Sequence, residues 1–284
     1  MKVSVLVPVY RTDRRVLRAT IESVLAQSYA DFELLLVDDC PEDPRTDVVA
    51  EFDDPRIVYR INDRNVGISE TRNVLLATAR GEYLAILDHD DVCRTDRLQQ
   101  QVSYLDAHPA CGVVSSWVRE IPSGKIVEEP ISNEAIRLGL MCGCVVYHSA
   151  AMVRASVLRD NRIEYEEEFS PSEDYRLWLR LMAVTEFHNL PEPLLDYRLH
   201  ESNTSKTQGG RMFRMTRRLQ EYAAAEYPDL YVAGMNVNDT RIRKRSLVKL
   251  LGVPVLSIES SAWSMTLRLF GRIRIASVRI STSL

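Results

Sequence analysis

The 284-residue sequence predicts an α/β fold, a mostly parallel sheet flanked by helices and followed by a small basic C-terminal extension. Three observations predict it. Short apolar runs rich in β-branched residues alternate with segments of helical period; acidic clusters and glycines mark the junctions; and the charge balance changes sign late in the chain.

Val3–Val7 has the near-continuous apolarity of a strand buried on both faces. Asp13 is placed to cap a helix whose Leu17, Ile21, Val24 and Leu25 recur at helical spacing. Phe32–Val37 is the second strand, stopping at Asp38-Asp39, and Ile57–Ile61 is the third, reached through a weakly helical stretch after Pro44. Gly67 opens a helix that Gly81 closes, and Tyr83–Leu87 forms a fourth strand ending in Asp88-His89-Asp90-Asp91. Thr95 is expected to cap a helix with Leu98, Val102 and Leu105 on one face, with Gly112–Val118 as a fifth strand. Between Glu120 and Val145, Pro122, Gly124 and Pro130 mark a loop or hairpin. Ser172-Glu173-Asp174 starts a helix with Leu177, Leu181 and Val184 in register; Leu190–Leu195 carries two prolines, and Tyr197-Arg198-Leu199-His200 leads into a polar loop. Strand–helix–strand repetition implies right-handed crossovers.

Hydrophobic residues at 45% and charged residues at 27% describe a globular chain rather than a disordered one. Residues 206–284 hold 14 Lys+Arg against 5 Asp+Glu, while residues 1–205 hold 22 against 35, so the sequence divides after Ser205. The acidic first part argues against nucleic-acid binding as the main task. In the basic part Leu250–Ile258 is weakly echoed by Leu269–Ile275, and Arg272, Arg274 and Arg279 alternate with apolar residues; a peripheral membrane contact or a homodimer contact are the two expectations. The five cysteines lack paired metal-ligand spacing and read as reduced thiols. The N-terminal apolar run is too short for a signal peptide and no run is long enough to span a membrane, so a cytoplasmic location, with contact at the inner membrane face, is expected.

Ligands of parallel α/β sheets gather at the carboxyl ends of the strands. Pro8-Val9-Tyr10, Asp38-Asp39, Gly67 to Asn73 and Asp88-His89-Asp90-Asp91 all fall there. Carboxylates so close at a strand end suit a hard divalent cation, Mg²⁺ or Mn²⁺, bridging Asp88 and Asp90 to a diphosphate, or else form a solvated acidic turn. Asp39 could bind a ribose hydroxyl, but no glycine-rich turn follows the first strand, which excludes a dinucleotide enzyme. Arg72 could meet a phosphate or base edge, or be a solvated surface arginine. Glu173-Asp174 fits favourable helix-dipole placement or a general base. Tyr175, Trp178 and Met182 read as packing before sugar stacking. His200 could join a metal or phosphate shell or face solvent, and His89 and His148 read as local hydrogen-bonding residues.

In order, Val7-Pro8-Val9-Tyr10, Leu36-Val37-Asp38-Asp39, Asn65-Val66-Gly67-Ile68 with Arg72-Asn73, Leu87-Asp88-His89-Asp90-Asp91, Glu173-Asp174-Tyr175-Arg176-Leu177-Trp178 and Tyr197-Arg198-Leu199-His200 resemble the family 2 glycosyltransferases, most closely bacterial enzymes that build surface polysaccharides. The resemblance covers about Met1 to Ser205 and implies a Rossmann-like GT-A fold and inverting transfer from a nucleotide sugar, commonly a UDP-sugar, to a glycan or lipid-linked glycan. It places Pro8, Val9, Tyr10, Asp38, Asp39, Gly67, Arg72 and Asp88 around the nucleotide. Asp88, Asp90 and His200 would hold Mn²⁺ or Mg²⁺, and Asp174 would be the base. Glu173, Trp178 and His148 would border the donor sugar or acceptor. Cys40 after Asp39 and Ser149 after His148 depart from the common pattern. A sugar nucleotidyltransferase would need a glycine-rich, basic triphosphate loop, which is missing; a non-catalytic carbohydrate-binding protein on the same fold is the second competitor.

Overall fold

The computed structural model describes residues 1–200 and 207–240 and, beyond them, four strands between residues 243 and 279. Strands β1 (Val3–Val9), β2 (Phe32–Asp38) and β3 (Ile57–Ile61) are joined by α1 (Arg14–Leu25) and α2 (Thr46–Val49). Helix α3 (Ile68–Thr78) then leads to β4 (Tyr83–Ile86) on the opposite side of β1. All four strands run parallel, with Val5 facing Leu34 on one side and Ala85 on the other.

The chain thus moves outward from β1 to β3 and then returns to the other flank of β1. That is a topological switch point, and ligands of open α/β sheets gather at its carboxyl side. Side-chain alternation explains the two helical layers: Val3, Val5, Val7 and Val9 pack with Leu17, Ile21 and Val24 of α1, while Leu6, Leu35 and Val37 pack with Leu75 of α3. Asp13 caps α1 as expected, its carboxylate accepting from the Arg15 and Val16 amides.

The second half of the sheet is mixed. After β5 (Val92–Cys93) and α4 (Arg97–Ala107) come β6 (Cys111–Ile121), β7 (Ile126–Val127), α5 (Asn133–Leu140), β8 (Met152–Arg154), α6 (Ala155–Asn161), α7 (Glu173–Leu181) and β9 (Glu186–Arg198). The strand order is β3-β2-β1-β4-β8-β6-β9-β5, with β7 hairpinned onto β6.

Several details differ from the sequence expectations. Asp96, not Thr95, occupies the cap position of α4, and the Thr95 carbonyl instead accepts the Ser28 amide. Val184 lies beyond α7 and is exposed. The weakly patterned 120–145 stretch contains α5 as well as a hairpin, α5 being capped by Ser132 through the Ala135 amide. The proline-bearing Leu190–Leu195 is inside β9, because the parallel register with β6 passes from Leu190–Ser116 directly to Pro193–Trp117. Pro191 therefore falls in an irregularity where no ladder amide is required.

Packing also continues past Ser205. Helices α8 (Gly209–Glu226) and α9 (Pro228–Thr240) lie against the body: Leu219 and Ala223 are fully buried in the same cluster as Trp178 and Leu181. A Cβ on Gly234 of α9 would come 2.6 Å from the Leu138 carbonyl, so α9 and α5 are in close backbone contact. Strands β10 (Arg243–Leu250), β11 (Val253–Ser260), β12 (Ser264–Leu269) and β13 (Ile273–Arg279) form an antiparallel four-stranded sheet paired in chain order. Arg272, part of the expected basic strand, lies outside the described residues. Among the described residues no helix is long and apolar enough to cross a membrane.

Candidate active site

Pro8, Val9 and Tyr10 end β1. The Val9 side chain is fully buried and its carbonyl accepts the Asp39 amide at 2.8 Å, so it contributes by fixing the strand end. Pro8 is buried and lines a small cavity with Leu6, Arg72, Leu75, Ile86 and Tyr165. Tyr10 is 42% exposed, an aromatic face open at the mouth of the crevice.

Asp38 and Asp39, at the end of β2, are both buried. Asp38 accepts from the Cys40 and Arg45 amides and from the Tyr59 hydroxyl at 2.8 Å. Asp39 accepts from Asn62 Nδ2 at 2.8 Å and from the Val66 and Gly67 amides, each at 2.9 Å. The pair thereby fastens the 62–67 loop to the end of β2. Gly67 has φ +88°, a conformation that favours glycine, and turns the chain into α3 directly above Asp39.

Arg72 and Asn73 in the first turns of α3 reach two distant segments. The Arg72 guanidinium donates to Glu173 Oε1 at 2.6 Å and to Asp88 Oδ1 at 3.0 Å, so it joins the end of β4 to the start of α7. Its burial opposes the charge, but Asp88 and Glu173 outweigh that and hold its pKa above the ordinary arginine value. Asn73 exchanges hydrogen bonds with the backbone of Tyr165, whose hydroxyl meets His148 Nε2 at 2.8 Å. Burial and then Arg72 push the His148 pKa down to about 3, so it is neutral at physiological pH. Ser149 beside it accepts the Asp88 amide at 2.9 Å.

Asp174, next to Glu173 in the first turn of α7, makes no ion pair among the described residues. Its carboxylate accepts the Tyr175 amide at 2.7 Å. Burial and then Glu173 push its pKa up to about 7 against the opposing pull of Arg72. Trp178, one turn on, is fully buried and edge-on to Phe187, a packing residue beneath His148 rather than an open stacking platform.

The acidic end of β4 is held by β9. Asp196 pairs with Val92, which carries β9 to the crevice, where the Arg198 amide donates to Asp91 Oδ1 and Arg198 Nε to the Asp90 carbonyl, both at 2.8 Å. His200 Nε2 then lies 2.6 Å from Asp90 Oδ2. Burial, followed by Asp90 and Asp88, drives the Asp91 pKa well above the ordinary carboxylate range. Among the described residues no group of three or more His, Cys, Asp and Glu is arranged to hold a metal. Asp90 with His200 is a two-ligand set of hard oxygen and imidazole nitrogen, and its chemistry fits Mg²⁺ or Mn²⁺, for which the remaining ligands would have to come from a bound molecule or water.

The profile of Glycosyl transferase family 2 matches residues 4–160, which hold β1 through β8 and the Asp38-Asp39 and Asp88–Asp91 ends. The chain belongs to that family. It is 28% identical over 209 residues to the UDP-Glc:alpha-D-GlcNAc-diphosphoundecaprenol beta-1,3-glucosyltransferase WfgD of Escherichia coli, covering 72% of this chain and 80% of WfgD. Among solved structures it superposes on S. aureus TarS 1-349 in complex with UDP-GlcNAc with a TM-score of 0.62 at 22% identity, covering 72% of this chain and 60% of TarS. It also superposes on the mannosyltransferase PcManGT of Pyrobaculum calidifontis, in complex with GDP-Man and Mn²⁺, with a TM-score of 0.59 at 16% identity, covering 84% of this chain and 75% of that one. The fold of this glycosyltransferase is accordingly GT-A.

Tyr165 escapes a motif reading of the sequence. Arg97 is a further case: fully buried on α4, it donates to the Ile86 and Ala151 carbonyls at 2.8 and 3.2 Å and so braces β4 against β8 behind the acidic end. The detectable signal was an arginine two residues into a predicted helix, on the apolar side with Leu98 and Gln101.

Proposed function

We propose that this transferase moves a sugar from a nucleoside diphosphate, UDP in the first instance, to a hydroxyl of a glycan or lipid-linked glycan in surface polysaccharide synthesis, with inversion at the anomeric carbon. The observation that carries the reading is the state of Asp174. It is a carboxylate without an ion-pair partner among the described residues, its pKa raised to about 7 at the start of α7, while its neighbour Glu173 is tied through Arg72 to Asp88 at the switch point. A base poised near the working pH suits proton abstraction from an alcohol.

Tyr10, Pro8 and the loop fixed by Asp39 would border the nucleotide. The Arg72–Glu173–Asp88 bridge orients the donor side against the base, and neutral His148 with Ser149 offers hydrogen bonds to a sugar without adding charge. The acceptor O–H gives its proton to Asp174 as its oxygen attacks the anomeric carbon; the bond from that carbon to the diphosphate oxygen breaks, and the electron pair leaves with the diphosphate. Asp90 and His200 would hold a divalent cation, which when bound offsets charge on the diphosphate. The GT-A fold, and the presence of Mn²⁺ in PcManGT, support that cation. The nucleotide and the lipid-diphosphate acceptor are supported by the likeness to WfgD, a glucosyltransferase that uses UDP-Glc and a diphosphoundecaprenol-linked sugar.

The test is nucleotide release by the purified full chain from a panel of UDP-, GDP- and dTDP-sugars, with Mn²⁺ or Mg²⁺ and with chelator. Release from one donor class, lost on chelation and restored by metal, is expected. Turnover undiminished by exhaustive chelation would remove the cation from the reading, and release from none of the donors would remove the reading itself.

A further inference from the structure

We propose that the outward face of α8 is a docking surface for an anionic membrane, beside the mouth of the catalytic crevice. Residues Gly209–Arg218 contain four arginines and no acid. Arg211, Arg214 and Arg217 are exposed and have no acidic partner at ion-pair distance among the described residues, whereas Arg218 reaches Glu168 at 2.9 Å. Phe213 is 65% exposed among them, the most exposed of the large apolar side chains in the described residues.

The packing of α8 makes this face unavoidable. Leu219 and Ala223 are buried against the body and Gln220 donates to the Cys142 carbonyl, so Arg214 and Arg217 lie on the opposite side of the helix, while Phe213, two turns ahead of Gln220, stands open to solvent at the exposed N-terminal half of α8. At 1.5 Å of rise per residue, Arg211, Arg214 and Arg217 spread along about 9 Å. The combination of cations with a large apolar side chain suits an interface in which arginines meet lipid phosphates and an aromatic ring enters the headgroup layer. A long polyanion fits less well, because residues 1–205 carry 35 acidic against 22 basic residues and would repel it, while a flat surface meets one face alone. The location follows from the structure: α8 packs on α7, which begins with Glu173 and Asp174, and Arg218 lies 4.8 Å from the ring of Phe169, just ahead of them in the chain. The docking rests on the lipid-linked acceptor for its purpose but can be measured without it.

Flotation of the full chain with vesicles of phosphatidylcholine plus phosphatidylglycerol, and with phosphatidylcholine alone, tests it. Binding to the anionic vesicles only, weakened by salt, is expected. Arg211→Glu, Arg214→Glu and Arg217→Glu combined should lower it by at least about tenfold, since each cation near such a surface contributes roughly fivefold. Phe213→Ser should weaken it with the charges intact. Thermal melting and nucleotide release with a soluble acceptor should match the unaltered chain, which separates failure of docking from failure of the transferase reading. Undiminished vesicle binding by the triple variant overturns the proposal. So does equal binding to uncharged vesicles, a loss of duplex DNA binding in place of vesicle binding, or a change from dimer to monomer without any vesicle effect.

Discussion

Asp174 is where stability and chemistry pull apart. A carboxyl whose folded pKa is raised from 3.8 to about 7 is disfavoured in its charged form by the fold, so the cost to stability is absent below about pH 4, grows as pH rises and is full above about 7. Asp174→Asn removes that cost while preserving shape. At pH 8 the variant should melt at or above the temperature of the unaltered chain, and near pH 4 the difference should vanish. Its transfer rate should nonetheless fall by about 10² to 10⁴, the usual loss with a general base. The rate of the unaltered chain should rise with pH through about 7, because the base must be deprotonated. A variant within a few-fold of normal rate, or an acid limb near pH 4, would oblige Asp174 to be read as a helix-start acid and nothing more. Glu173 cannot substitute: its Oε1 is engaged by Arg72 in a buried ion pair, where losing one partner leaves an uncompensated charge.

Among the elements, the turn from β3 into α3 depends on one carboxylate. Asp39 collects three donors from Asn62, Val66 and Gly67, and all three would be left without that partner in Asp39→Ala. The expected cost is roughly 3–5 kcal/mol, measured by denaturant unfolding, with donor affinity falling because the loop at the nucleotide side is released. A stability change under about 1 kcal/mol with weaker donor binding would instead assign Asp39 to direct contact with the base. Which elements were legible follows from their periods. β1, β2 and β4 are near-continuous apolar runs because both faces are covered, and α1 announced itself by Asp13 and its stripe. β9 was hidden because Pro191 disguises a strand whose partner tolerates an irregularity, and α5 because Gly139 and the prolines ahead of it, Pro122 and Pro130, blur an eight-residue helix. In the site, the acidic strand end and the Glu173-Asp174 helix start were visible as local clusters. The Arg72 bridge was not, since its partners lie 16 and 101 residues away and only the fold brings them together.

For the whole molecule, the question is where the catalytic body ends. Charge alone divides the chain after Ser205, but apolar packing does not: Leu219 and Ala223 complete the cluster that holds Trp178, and α9 rests backbone to backbone on α5 through Gly234. By contrast the strands from Arg243 to Arg279 pair only with one another among the described residues. We therefore propose that the body closes near Thr240. A chain ending there should bind donor nucleotide as the full chain does and melt within a few degrees of it. A chain ending at Ser205 should uncover the apolar faces of α5 and α7, and burying a leucine-sized side chain alone stabilises by about 2 kcal/mol. For a body of this size each kcal/mol shifts the melting temperature by roughly 2–4 °C, so a drop of about 5–10 °C with increased binding of a hydrophobic dye is expected. Calorimetry on the two truncations decides between the boundaries: equal melting of both would return the boundary to Ser205, and a large loss in the longer one would make the four-stranded sheet part of the body.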